Sequence, residues 1–161
     1  MILKETFVYH MKLEFYGKFN DPYLTNPKTT RPFYCCIQDT KIPKIYWMIP
    51  MSTRIQKAQE MINKISNGVM CHCHLVEIAT NIGSKPSAFM ILDAFPVIEK
   101  YVDKNYKIGQ HPFVILDHSL VLELKRKLKK VINIKKSGGR LNSKSIDIFK
   151  IYNKLKIELD M

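Results

Sequence analysis

The last forty-five residues constrain the fold most. In "DHSLVLELKRKLKKVINIKK", Leu120, Leu124, Leu128 and Val131 recur at three- and four-residue steps with lysines between them. "LNSKSIDIFKIYNKLKIELDM" repeats the pattern with Ile148, Phe149, Tyr152, Leu155 and Leu159. Each segment predicts a helix with one apolar face, and such a face has to be covered. Asp117 or Ser119 opens the first helix, and "SGGR" separates the two. What precedes them is strand-like. "FYCCI" and "IYWMI" flank "QDTKIPK" as a hairpin, and "VMCHCHLVEI" is another strand. "NIGSKPS" reads as a turn, and "AFMILDAFPVI" as a strand stopped by Pro96. "TFVYHMKLEFYGKF" alternates enough to be the first strand. One helix interrupts the series, with Ile55, Ala58, Ile62 and Ile65 on its apolar face, Ser52 or Thr53 as its N-cap, and Asn67 and Gly68 at its end.

Five or so short strands, one inserted helix and two closing helices make an α+β domain. A small barrel is the natural closure, because it leaves no strand edge exposed. A chain of 161 residues with 46% hydrophobic content fits one domain, residues 1–161, with its own core.

The charge is high and unevenly placed. Of a formal +12, residues 121–161 supply 12 Lys and Arg against 4 Asp and Glu. Such a field favours an anionic partner, nucleic acid before an anionic membrane. The apolar faces of the closing helices look core-facing, which disfavours the membrane. Cys35, Cys36, Cys71 and Cys73 lie as close pairs in strand-like segments, unlike a secreted disulfide framework. The opening lacks a signal-peptide layout and no apolar run approaches a membrane span, so a cytoplasmic protein is expected.

Four features carry possible chemistry. In "CHCH" (71–74), strand alternation sends the cysteines to one face and His72 and His74 to the other, so the four do not converge on one ion. No metal or cofactor is expected there, although either histidine can line a site. The loop "YLTNPKTTRP" holds Lys28 and Arg31 among turn residues, and a proline-stiffened loop can keep a lysine in position. "STR" (52–54) falls at a helix N-terminus, where unpaired N–H groups and the helix dipole welcome an anion. It reads either as a cap with an exposed arginine or as a phosphate clamp of two hydroxyls and a guanidinium. The basic helix, with Lys125, Arg126, Lys127, Lys129, Lys130, Lys135 and Lys136, is either a solvated face or a footprint for an RNA backbone. Lys57 and Arg140 add to the same basic set.

The order of these pieces resembles the endoribonuclease toxins of type III toxin–antitoxin systems, the ToxN, AbiQ and CptN group, and CptN-like members most closely. The match rests on Tyr23, Asn26, Pro27 and Lys28 in "YLTNPK", on two strands followed by "IPMST" before a helix, and on the basic helical end. The resemblance implies a compact SH3-like barrel, similar to the Kid and MazF toxins, with added helices. It also implies metal-independent RNA cleavage to a 2′,3′-cyclic phosphate and a 5′-hydroxyl. The partner implied is a repeat-derived pseudoknot antitoxin RNA, which the toxin processes and which inhibits it in a closed protein–RNA assembly; abortive infection of phage is the implied role. Carried over, Lys28 matches the family's loop lysine, and Ser52 and Thr53 its hydroxyl pair in reversed order. Arg54 stands one position early for the basic residue that follows. Tyr23, Arg31, Lys57 and the closing-helix cations are the expected RNA contacts, and His10, His72 or His74 the possible second proton-transfer group. The competing reading is a non-catalytic basic RNA-binding protein.

Overall fold

The fold is organised on one strand, β3 (Ile45–Ser52), which is long enough to serve different partners along its length. In this computed structural model the described residues are 1–24, 31–65, 73–80, 83–138 and 146–161, with backbone alone for 61–65, 73–80 and 83–86. Along one edge β3 pairs antiparallel with β2 (Phe33–Gln38), as the hairpin reading predicts. Along the other it takes β6 (Phe95–Ile98) over Ile45 to Met48, then β5 (Gly83–Met90) at Met51 and Ser52. Pro50 sits in this strand at no cost in hydrogen bonds. The N–H of Met51 faces β2 and donates to the Pro32 carbonyl at 3.0 Å, so the missing N–H of Pro50 falls on the opposite edge, where β6 ends and β5 begins.

The seven-stranded sheet continues from β5 to β4 (Cys73–Thr80), and from β2 to β1 (Val8–Met11) and β7 (Val102–Asn105). Its path is open from β4 to β7 among the described residues, so the closed SH3-like barrel is not seen there. A two-stranded ribbon of β8 (Lys107–Ile108) and β9 (His111–Pro112) turns at Gly109, whose φ of 62° suits glycine.

Several elements differ from the sequence reading. Only Val8–Met11 of the first segment is a strand; Leu13–Phe19 is a helix, α1. Phe15 and Phe19 lie one turn apart with rings at 4.8 Å, and both meet Tyr101, while Phe15 also stacks on Phe95 at 5.0 Å. Burial of that aromatic pair outweighs the local alternation. Gly83–Ser87 belongs to β5 rather than to a turn, and β5 ends at Met90 in the 3-10 turn Ile91–Asp93. Pro96 lies inside β6, opposite Trp47, and does not stop it. Because β6 pairs only with β3 among the described residues, its other edge needs no donor.

The three longer helices form as their periodicity predicts. α2 (Ile55–Ile65) packs Ala58 and Ile55 against Ala88 and Met90 of β5. α3 (His118–Lys136) starts on Asp117, which accepts from the Leu120 N–H at 3.1 Å, and buries Leu120, Leu124, Leu128 and Val131. α4 (Ile148–Glu158) starts on Asp147 and buries Ile148, Ile151 and Leu155. The Tyr152 ring stacks on Trp47, and Asp39 accepts from both side chains. No helix among the described residues is long and apolar enough to cross a membrane.

Candidate functional site

The end of β3 delivers Ser52, Thr53 and Arg54 to the start of α2, and the local geometry separates their tasks. The Ser52 Oγ accepts from the Arg54 N–H at 3.1 Å. The Thr53 carbonyl accepts from Ile55 N–H, and the Arg54 carbonyl accepts from Ala58 N–H at 3.2 Å. Arg54 therefore occupies the cap position itself, one or two residues later than expected. Ser52 bonds the backbone just outside the helix through a lone pair, and its O–H remains a donor. The Thr53 hydroxyl has no hydrogen-bond partner among the described residues, and Thr53, Arg54 and Lys57 are exposed.

α2 also differs from its two neighbours electrostatically. The N-termini of α3 and α4 are occupied by the Asp117 and Asp147 carboxylates. α2 has no acidic residue in its first turn, and its positive end faces outward with an arginine beside it.

Arg31 enters the same region through the β2–β3 pairing, one residue before Pro32. Its guanidinium is half-buried, with Asp93 and Tyr16 as favourable neighbours and Arg54 as a repulsive one. Burial lowers its pKa from the ordinary range, and its Nε is buried without a hydrogen-bond partner among the described residues. Asp93, on the 3-10 turn, has its pKa raised by burial although Arg31, Lys135 and Lys57 oppose the shift. Lys135 reaches this turn from α3, donating from Nζ to the Leu92 carbonyl at 3.2 Å. Burial lowers its pKa too, against the pull of Asp93, Asp21 and Asp147. Tyr16 on α1 is pushed up to about 12 by burial, with Arg31 acting in the opposite direction.

Arg31, Lys57 and Lys135 thus act on one half-buried carboxylate, and Arg54 acts on Arg31, beside the start of α2. An excess of cations over one carboxylate, with N–H and hydroxyl donors, suits a phosphodiester. Asp93 and Tyr16 are the additions that sequence reasoning missed. No local spacing marks Asp93, and the alternation around Tyr16 predicts a strand where the structure has α1.

The other expected site residues divide into groups. Lys28, Arg140 and His72 lie outside the described residues, and His74 is described only as a backbone position of β4 opposite Phe89. His10 lies on β1, separated from β3 by β2, with its ring against Tyr106 at 5.2 Å. On α3, Lys125 pairs with Glu5 at 2.6 Å, and Arg126 and Lys127 both reach Glu123. Lys129, Lys130 and Lys136 are exposed. Surface pairs of this kind are worth about 0–1 kcal/mol, so an RNA phosphate can displace the carboxylates. Tyr23 lies in the turn after α1, its N–H donating to Asp21 at 2.8 Å.

No family model and no curated protein sequence matches the chain. Its fold does match a solved structure, that of AbiQ, a lactococcal anti-phage endoribonuclease belonging to the type III toxin–antitoxin system. The TM-score is 0.71 at 10% identity, over 98% of this chain and 100% of that one. The two chains share a fold, which in this chain is an α+β arrangement of a mostly antiparallel sheet with four α-helices among the described residues.

Proposed function

We propose, from a fold shared with AbiQ, that this protein is an endoribonuclease toxin of a type III toxin–antitoxin system. The observation that carries the reading is the cationic cluster of Arg31, Arg54, Lys57 and Lys135 beside the start of α2, which has no acidic residue in its first turn. It is supported by a resemblance whose motifs match Lys28, Ser52 and Thr53, with Arg54 one position early for the family's basic residue.

The reaction is transphosphorylation. A base removes the 2′-OH proton, O2′ attacks phosphorus, the bond to O5′ breaks and an acid protonates O5′. The products are a 2′,3′-cyclic phosphate and a 5′-hydroxyl. Charge builds on the non-bridging oxygens, where preorganised donors act most strongly. The Ser52 O–H, the Thr53 hydroxyl, the Arg54 guanidinium and the first N–H groups of α2 supply them. Lys28 takes the acid–base role. It stands three residues before Arg31, and three extended residues span at most about 11 Å. A cationic neighbour such as Arg31 favours its neutral form. The partner is a repeat-derived pseudoknot antitoxin RNA, held in a closed protein–RNA assembly by exposed lysines of α3, and the biological role is abortive infection of phage.

The test is incubation with RNA in excess chelator, followed by end-group analysis. Cyclic-phosphate and 5′-hydroxyl ends, abolished by Lys28→Ala, are expected. Intact RNA retained in a gel shift would leave a non-catalytic RNA-binding protein.

A further inference from the structure

Away from Ser52, a cleft of about 240 Å³ lies between the end of α1 and one face of α4, lined among others by Phe19, Asp21, Tyr23, Lys150, Ile151 and Lys154. Phe19 and Ile151 are buried and form an apolar floor. Tyr23 keeps 44% of its surface exposed beside them. Lys150 and Lys154 are exposed, one turn apart on the same helix face, and neither is in an ion pair among the described residues.

The carboxylates of this cleft are fixed by the backbone. Asp21 accepts from the N–H groups of Tyr23 at 2.8 Å and Asp147 at 3.0 Å, and Asp147 accepts from Lys150 N–H at 3.0 Å. Each carboxylate has about four lone-pair sites, so both keep acceptor capacity. Two carboxylates and two ammonium groups leave no net charge, and a simple anion gains nothing by entering. A suitable ligand is flat, carries N–H donors, and holds its negative charge at the rim. The volume is below the roughly 300–1,000 Å³ of a drug-sized site, which suits one ring system.

We propose that this cleft is a nucleotide subsite for single-stranded RNA. The base stacks on Tyr23, presents an amino-bearing edge to Asp21 and Asp147, and leaves its phosphate on Lys150 and Lys154. Aromatic stacking, lysines on the backbone and a carboxylate accepting from a base amino group are each established modes of recognition. The inference rests on reading the protein as an RNA binder.

The experiment is an amide NMR titration of the whole chain with GMP, UMP and inorganic phosphate. GMP is expected to shift Tyr23, Lys150, Ile151 and Lys154, and to bind about tenfold tighter than UMP, whose base has no amino group. Lys150→Gln with Lys154→Gln should weaken GMP binding at least tenfold, with the thermal midpoint as a check on folding. Equal affinity for GMP and UMP, the same shifts from inorganic phosphate, or shifts confined to residues 52–57 would each overturn the subsite. The chelator assay separates this inference from the nuclease reading. Cleft shifts without RNA cleavage sink the nuclease and keep the subsite, and cleavage without cleft shifts does the reverse.

Discussion

Ser52 offers a measurement that separates a structural hydroxyl from a chemical one. Its Oγ accepts from the Arg54 N–H at 3.1 Å just outside α2, whereas Asp117 caps α3 by accepting from Leu120 N–H at 3.1 Å. Losing the Asp117 cap costs about 1 kcal/mol of stability, and losing the Ser52 hydrogen bond a similar amount, about 0.5–1.5 kcal/mol. In a chain of this size that is a fall of about 2–4 °C in Tm. Ser52→Ala and Asp117→Ala should therefore melt at similarly lowered temperatures. Their activities should diverge. If the Ser52 O–H donates to the phosphate as charge develops, losing it costs about 10²–10³ in kcat. Asp117→Ala should cleave at nearly the parent rate at a temperature where both variants are folded. Ser52→Thr keeps a hydroxyl and should recover part of the loss. Circular-dichroism melts paired with single-turnover cleavage of a short RNA in chelator provide both numbers. A Ser52→Ala enzyme as fast as Asp117→Ala would refute the phosphate role and leave Ser52 a helix-start residue alone.

Three further outcomes follow from the packing and the charges. Leu124, buried under α3, should lose about 2–5 kcal/mol on Leu124→Ala in urea unfolding, whereas Leu122→Ala, on the exposed face, should stay near 0.5 kcal/mol or less. Glu158 accepts from Lys100 and Tyr101, and the Lys100 hydrogen bond is the largest influence holding its carboxyl below the ordinary value of 4.5. A depressed carboxyl stabilises the fold above that ordinary value and loses the contribution as pH falls through the folded value. The Tm difference between parent and Glu158→Gln should accordingly shrink on acidification below about 4.5, and a constant difference would contradict the pairing. Burial raises both the Cys35 and Cys36 thiols, the latter to about 12, so neither should react with a thiol reagent at pH 8 until the protein is unfolded.

Elements governed by neighbours in the chain were legible from residue order. The apolar repeat of Leu120, Leu124, Leu128 and Val131 reports α3 directly, and Asp117 marks its start. The β2–β3 hairpin follows from two short apolar runs around a polar turn. α1 was not legible, because Met11, Leu13 and Phe15 alternate locally like a strand. The decision lies with Tyr101 and Phe95, far along the chain, whose rings receive Phe15. Pro96 reads as a strand end until β6 is known to be an edge strand.

The candidate site divides along the same line. Ser52, Thr53 and Arg54 are legible because a helix start is a local event with a small set of residue preferences. The company they keep is not. Arg31 arrives just before β2, Asp93 on a 3-10 turn and Lys135 near the end of α3, and only the pairing of β3 with β2 and β5 and the packing of α3 bring them together. The sequence by itself determined the helix faces, the excess of positive charge and the donors at the start of α2. Tertiary structure decided which cations gather around the half-buried Asp93 carboxylate, and so which of many basic residues act on one another. Side-chain charge is a property of each residue, whereas the low-dielectric contact that gives it effect exists only once distant strands have paired.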